Sequence, residues 1–315
     1  MSEFPASLSD IQLRRELIDQ GYTDRDLRHM VRTGILAKVR YGAYVDATLT
    51  AGLDATGWMR LRARAVLRTA HPSAVLSHQT ALAEHGVPLW GADLTQVHLT
   101  RTDSRSGRRE AGIVHHRLVL PDGDVTSRQG LPLTTPARAT LEVVTAESSE
   151  TGLVAACGVL HANLATSDDL QAVWLRATRW PGALGSRLVL PRADARIESV
   201  GEARTWHLFF AHQIPLPEPQ VMVHTPAGAL LGIVDFLWRD RGVFLEFDGR
   251  EKYAKFRRPG ESLEAYVRRE KLREEAICAA TGWVCIRISW ADLARPRDTS
   301  VRIRRLLESR RSHVA

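Results

Sequence analysis

Gly232-Ile-Val-Asp-Phe-Leu-Trp-Arg-Asp-Arg-Gly-Val-Phe-Leu-Glu-Phe-Asp-Gly249 reads as two strands around a tight turn, with β-branched and aromatic residues on either side of Arg239-Asp-Arg-Gly242. If those four residues form the turn, Trp238 pairs with Val243, and counting back sets Asp235 opposite Glu246. Side chains repeat every second residue along a strand, so Asp248 joins them, while Phe236, Leu245 and Phe247 point the other way. A one-residue slip would turn Asp235 into the apolar layer, which favours this register. Opposed like charges destabilise a strand pair by up to about 1 kcal/mol. They are tolerated on a wet face, with one carboxylate protonated, or around a cation. A hard divalent ion such as Mg²⁺ takes one or two carboxylates plus water and phosphate oxygens. The two readings at this point are an ordinary solvated hairpin face and a metal-dependent phosphodiester site built on Asp235, Glu246 and Asp248.

The flanking segments extend the pattern. Ser199-Val-Gly-Glu202 is a capping-box start to a helix running through Phe210. The Pro-rich stretch Ile214 to Pro219 leads into a strand near Gln220 to His224, and then into the acidic hairpin. A charged helix follows, and then the apolar strand Trp283-Val-Cys-Ile-Arg-Ile-Ser289. The order is helix, three strands, helix, strand.

That order, with Asp235-Phe236 before Glu246-Phe-Asp-Gly249, then Arg269-Glu-Lys-Leu-Arg-Glu274, Thr281-Gly-Trp-Val-Cys-Ile-Arg287 and Trp290-Ala-Asp-Leu293, resembles the restriction-endonuclease-like, or PD-(D/E)XK, superfamily. Within it, the pattern looks like the very-short-patch-repair-like branch, over about residues 195 to 310. The resemblance implies that Asp235 and Glu246 hold the metal, with Glu202 completing the acidic site. It also expects Lys two residues after the second acid, where this chain has Asp248. Lys252, or Lys271 from the following helix, would then supply the cation.

Composition frames these readings. A chain of 315 residues with 44% hydrophobic content can bury a sizeable core and is expected to hold two or three domains. It has no run of 18 apolar residues, and Met1-Ser-Glu-Phe-Pro5 lacks a cationic start followed by an apolar stretch. The expectation is a cytoplasmic protein with no membrane partner. Cys157, Cys278 and Cys285 are odd in number and show no C-x-x-C spacing, so they read as packed thiols. Net charge is +7 with pI near 9.7. Arg250, Lys252, Lys255, Arg257 and Arg258 follow the acidic hairpin directly, and Arg268, Arg269, Lys271 and Arg273 lie on the next helix. A cationic rim beside an acidic centre suits a nucleic-acid backbone. A solvated helix face is the alternative, because Glu270 and Glu274 can pair with neighbouring cations at helical spacing.

The N-terminus reads independently. Ser9-Asp-Ile-Gln12 opens a helix running to Gln20, and Thr23-Asp-Arg-Asp26 opens another ending at Gly34. Leu27, Met30 and Val31 form the apolar face of the second, with Arg25, Arg28, His29 and Arg32 mostly elsewhere. Ile35 to Val45 then alternates as a hairpin turning near Tyr41-Gly42. Two short helices and a hairpin make a winged helix-turn-helix whose first helix is short or missing. Its second helix would enter the major groove of double-stranded DNA. Arg25, Arg28 and Arg32, with Lys38, Arg40 and Tyr41 on the wing, are the candidate DNA contacts. Residues 1 to 50 carry seven basic and seven acidic residues, so an interaction module that touches no DNA is the competing reading.

Gly21-Tyr-Thr-Asp-Arg-Asp-Leu-Arg28, Val31-Arg-Thr-Gly-Ile-Leu36 and Arg40-Tyr-Gly-Ala-Tyr-Val45, followed by Ala74 to Ala83, His85-Gly-Val-Pro88, Val97-His-Leu-Thr100 and Gly130 to Ala137, look like the AbiEi antitoxins of type IV toxin–antitoxin systems. The resemblance covers about residues 8 to 165. It implies a repressor of its own operon that neutralises a nucleotidyltransferase-type toxin.

The middle region reads as a mixed α/β platform. Ser77 and His78 stand at a helix start with no acid at usable spacing, and His115-His116 is an isolated pair. The whole is expected to be α+β: a winged helix over 1–50, a mixed α/β middle domain over 51–182, a linker over 183–195, and a restriction-endonuclease-like domain over 196–315. The function expected is a DNA-binding regulator of antitoxin type, with a Mg²⁺-dependent endonuclease as the alternative.

Overall fold

The computed structural model describes residues 4–103, 109–249 and 260–310. Helices and strands alternate in two compact units, Met1–Ala193 and Asp194–Ala315. In the first, β1 (Gln12–Leu13) runs into α1 (Arg14–Asp19), followed by α2 (Asp24–Arg32), β2 (Leu36–Arg40) and β3 (Ala43–Asp46). The sheet order is β1-β3-β2. The helix expected from Ser9 begins later, at Arg14. Ile11 and Leu13 are needed as alternating core residues, Leu13 pairs with Ala43, and the Glu16 carboxylate captures the Leu13 N–H at 3.0 Å.

A third helix of the N-terminal core lies beyond the hairpin. Helix α3 (Ala55–Leu67) packs Leu61 and Ala65 against Ile11, Leu13, Val39 and Val45. Its other side joins Ala63 and Val66 to the core of the next sheet, so residues 1–50 and the middle region share one unit. Arg64, fully buried on α3, fastens this junction by donating to the Ala6 carbonyl at 2.7 Å and to Glu84 at 2.5 Å.

The middle sheet is built from β4 (Ala74–Leu76), β5 (Val97–Arg101), β6 (Arg109–Glu110), β7 (Ile113–His116), β8 (Val125–Arg128) and β9 (Leu131–Thr134), in the order β6-β7-β5-β4-β9-β8. The β5–β7 and β4–β9 pairs are parallel and the rest antiparallel. Helix α4 (His78–His85) follows β4 directly, and α5 (Pro136–Ala146), α6 (Ser149–His161) and α7 (Ser167–Arg176) complete the helical layer. The segment expected as a linker, 183–195, contains helix α8 (Ala183–Val189), whose Ala183, Ser186 and Val189 are buried. The sequence signal misled because Pro181-Gly182 starts this helix rather than ending the domain.

The second unit contains α9 (Val200–Ala211), β10 (Glu218–His224), β11 (Leu230–Trp238), β12 (Val243–Asp248), α10 (Leu263–Thr281), β13 (Val284–Ser289), α11 (Trp290–Leu293) and α12 (Pro296–Ser309). The sheet order is β10-β11-β12-β13, with β13 parallel to β12 and the other pairs antiparallel. Trp238 opposes Val243 and Phe236 opposes Leu245, which is the register the alternation predicts. On one face, Trp206 of α9 stacks on Phe236, and Phe209 packs edge-on to Phe236 and Trp238. Burying each such aromatic contributes about 1.5–3 kcal/mol. Gly201 permits this close approach, because a Cβ there would stand 1.9 Å from the Phe247 ring. On the other face, Leu237 and Phe244 pack against Ile277 of α10.

Candidate functional site

Two regions gather the residues singled out by the sequence. The first is the outward side of α2. Thr23 and Asp26 close a reciprocal capping box at its start, which satisfies two of the helix's free N–H groups. Leu27, Met30 and Val31 pack toward Leu17 and Leu36. At about 100° per residue, Arg25, Arg28, His29 and Arg32 then fall within an arc of roughly 100° on the opposite side. All four are exposed. Arg14 clamps Asp24 at 2.5 Å, so the acidic start of α2 is neutralised by α1. Among the described residues, Arg25, Arg28 and Arg32 pair with no carboxylate. At the hairpin tip the Tyr41 ring is 88% exposed, with the Lys38 Nζ 5.8 Å from its centre. Arg40 is half-buried beside it.

The second region lies between β12 and α10. Asp235 and Glu246 are 8% and 6% exposed, so the acidic face is covered and not the solvated hairpin face of the competing reading. Asp235 Oδ2 accepts the Phe247 N–H at 2.8 Å, tying the two strands through a side chain. Both Glu246 oxygens accept from Arg273 Nη2 at 2.8 Å. Arg273 also donates to the Ile233 carbonyl at 2.9 Å and pairs with Glu270 at 3.0 Å. Gly232 clears its path, since a Cβ there would meet the Arg273 stem at 3.0 Å. Burial pushes the Glu246 carboxyl up, Asp235 pushes it the same way, and Arg273 pulls it back. Burial opposes the charge on Arg273, but Glu246 and Glu270 outweigh it and raise its pKa.

Glu246 and Asp248 open onto a cavity of about 320 Å³, where Glu270, Glu274, Lys271 and Arg287 also stand. Arg287 lies 4.0 Å from Glu246 and pairs with Glu274 at 2.6 Å. Lys271 is 77% exposed at this rim and faces Glu275. Glu202 is buried on α9, accepting from Ser199 Oγ at 2.8 Å and from Gln220 Nε2 at 2.9 Å. Lys252 and the run Arg250, Lys255, Arg257 and Arg258 lie outside the described residues.

The sequence reading named Arg273 only as one cation of a charged helix. A stronger signal was present. Tyr266, Glu270, Arg273 and Ile277 repeat at intervals of four, three and four, which places the charged pair on the buried stripe of α10. In the sequence, Ser77 and His78 have no acid at usable spacing. The His78 N–H in fact donates to Glu142 at 2.9 Å, and His78 Nδ1 lies 3.1 Å from Ser77 Oγ. No spacing could show this, because Glu142 is 64 residues away.

Comparison with protein-family models gives no match. Two uncharacterized proteins of Mycobacterium tuberculosis, from strains CDC 1551 and H37Rv, are each 28% identical to this chain over 290 residues. The alignments cover 92% of this chain and 98% of each relative. Both units of the structure therefore fall within a shared length.

Proposed function

We propose that this protein is a double-stranded-DNA-binding regulator whose N-terminal helix–helix–hairpin module acts as a winged helix. The observation that carries the reading is the arc of Arg25, Arg28, His29 and Arg32 on α2, opposite its apolar side. A helix of this kind places side chains on base edges in the major groove, while backbone contacts fix its register. Lys38 and the exposed Tyr41 at the hairpin tip suit a wing that touches backbone or minor groove. Helix α3 completes the hydrophobic support that a DNA-reading module needs. The AbiEi-like motifs over residues 8 to 165 support autoregulation, with a nucleotidyltransferase-type toxin as the proposed partner.

The second reading, a Mg²⁺-dependent endonuclease, rests on the acidic cluster and the helix–three-strand–helix–strand order of the second unit. A hard cation would need carboxylate oxygens of Asp235, Glu246 or Asp248. As arranged, both oxygens of Glu246 already serve the Arg273 guanidinium, so the central carboxylate carries its cation from within the chain. This does not fit a Mg²⁺ site and favours regulation over cleavage, with the second unit acting as a nucleic-acid clamp.

The test is fluorescence anisotropy on DNA from upstream of the protein's own reading frame, over a salt series. The triple substitution Arg25→Ala, Arg28→Ala, Arg32→Ala is expected to weaken binding by about 100-fold or more and to flatten the salt slope. Unchanged affinity in the folded variant would sink the winged-helix reading. Cutting of the same DNA with Mg²⁺ or Mn²⁺, lost in Glu246→Ala, would establish the endonuclease instead.

A further inference from the structure

Three histidines that no DNA-reading role uses converge in the middle sheet. His78 begins α4, His98 lies on β5 and His116 on β7. The parallel β5–β7 register pairs Thr100 with His116 and His98 with Val114, so His98 and His116 are two steps apart on the same face of neighbouring strands. His98 Nδ1 lies 2.9 Å from His116 Nε2. The His78 ring stacks on His116 with centroids 3.6 Å apart. One ring nitrogen from each histidine lies within 4.8 Å of the others.

The surroundings hold these rings as a metal site would. His78 Nδ1 faces Ser77 Oγ at 3.1 Å and Glu142 Oε2 at 3.6 Å, which leaves Nε2 as its donor toward the cluster. Glu142 is itself fixed by Arg138 Nε at 2.8 Å. A carboxylate behind a histidine sets the tautomer and raises ligand basicity. His98 Nε2 lies 2.9 Å from the Gln79 side-chain nitrogen. Gln79 is 1% exposed, and its Oε1 is buried without a hydrogen-bond partner. Turning the amide brings Oε1 to His98 Nε2–H and frees the Nδ1 lone pair to point at His116. A buried orphan acceptor costs about 1–3 kcal/mol, and this exchange gives it a donor.

We propose that His78, His98 and His116 form a binding site for a transition-metal dication of the Zn²⁺ class, with water as the fourth ligand. Imidazole donors select such ions over Mg²⁺ or Ca²⁺. Tetrahedral bonds of 2.0–2.1 Å place ligand nitrogens about 3.3 Å apart, so side-chain rotation from the stacked arrangement closes the site. Burial, aided by neighbouring histidines at His78 and His116, lowers all three pKa values, to about 4 for His98 and His116. Imidazole binds a metal in its neutral form. A bound ion would pin α4, β5 and β7 together.

The test titrates EDTA-dialysed, full-length protein with Zn²⁺ and Co²⁺ by calorimetry and visible absorption, and counts ligands on the Zn²⁺ form by X-ray absorption. The expected result is one ion per chain with three imidazoles and a raised melting temperature. Folded His98→Gln and His116→Gln should each lose affinity by about 100-fold. Absent stoichiometric binding, fewer than three imidazoles, or folded variants that bind as tightly as wild type would overturn the site. If the variants fail to fold, the ligand count on wild-type protein decides alone.

Discussion

Both units bury carboxylates, but they settle the charge differently. In the first, Glu84 is 1% exposed between Arg60 at 3.1 Å and Arg64 at 2.5 Å, and Glu142 is fully buried against Arg138 at 2.8 Å. These are sealed pairs, with arginines that also hold backbone carbonyls at Ala6 and Val119. In the second, Glu246 is held by Arg273 yet opens with Asp248, Glu270 and Glu274 onto a cavity shared by Lys271 and Arg287. Among the described residues, four carboxylates there face three cations. A closed, compensated network is scaffolding. An open one is where a ligand can enter.

The largest expected effect breaks the sealed side. Glu84→Ala leaves the buried Arg64 and the half-buried Arg60 without their carboxylate, and should cost about 3–5 kcal/mol in chemical denaturation. A loss below about 1 kcal/mol would mean that the network is wetter than its geometry shows.

Acid sharpens the contrast, because the two units should respond to different extents. His78, His98 and His116 have folded pKa values below the ordinary 6.5, through burial first. Between pH 6.5 and about 4 the unfolded chain takes up protons that the folded one refuses, so stability falls as pH drops. Glu142 and Glu147, both raised by burial, work against this, while His85, lowered by burial, adds to it, which leaves four histidines against two carboxyls. Glu246 is raised by burial, so the folded form of the second unit binds a proton more readily and mild acid relieves it. Scanning calorimetry of metal-free protein at pH 7 and 4.5 should show the first unit's transition fall by on the order of 10 °C. The second unit sets Glu246 against one lowered histidine, His212, so its transition should fall by clearly less. Equal falls in both would contradict the comparison.

How much of this was legible follows the range of each interaction. The Asp235–Glu246 register came from period-two alternation and one turn, both local, and the structure pairs the strands that way. The basic arc on α2 came from helical spacing over eight residues. What escaped was nonlocal. Helix α3 completes the N-terminal core from beyond the hairpin, so reading in chain order left that module short of a helix. Glu142 reaches His78 across 64 residues, and the three histidines meet only because β5 and β7 pair in parallel. Arg273 was readable in part: its stripe with Tyr266 and Ile277 marked it as inward-facing, but nothing local named Glu246 as its partner.

The smallest expected effect concerns the residue that sets the second unit apart. If Arg273 supplies the cation for Glu246, removing it should leave that carboxylate uncompensated among the described residues. Arg273→Ala should destabilise the unit by about 1–3 kcal/mol, because among the described residues Glu246 then keeps only Arg287, 4.0 Å away. The same variant should bind Mn²⁺ about tenfold more tightly than wild type, since both Glu246 oxygens would lose the guanidinium that holds them. Relief of the stability loss by millimolar Mn²⁺ but not by K⁺ would tie the two effects to one site. If the variant gains no divalent affinity, Arg273 is a structural clamp of the same kind as Arg64. The difference between the two units would then be one of burial and not of chemistry.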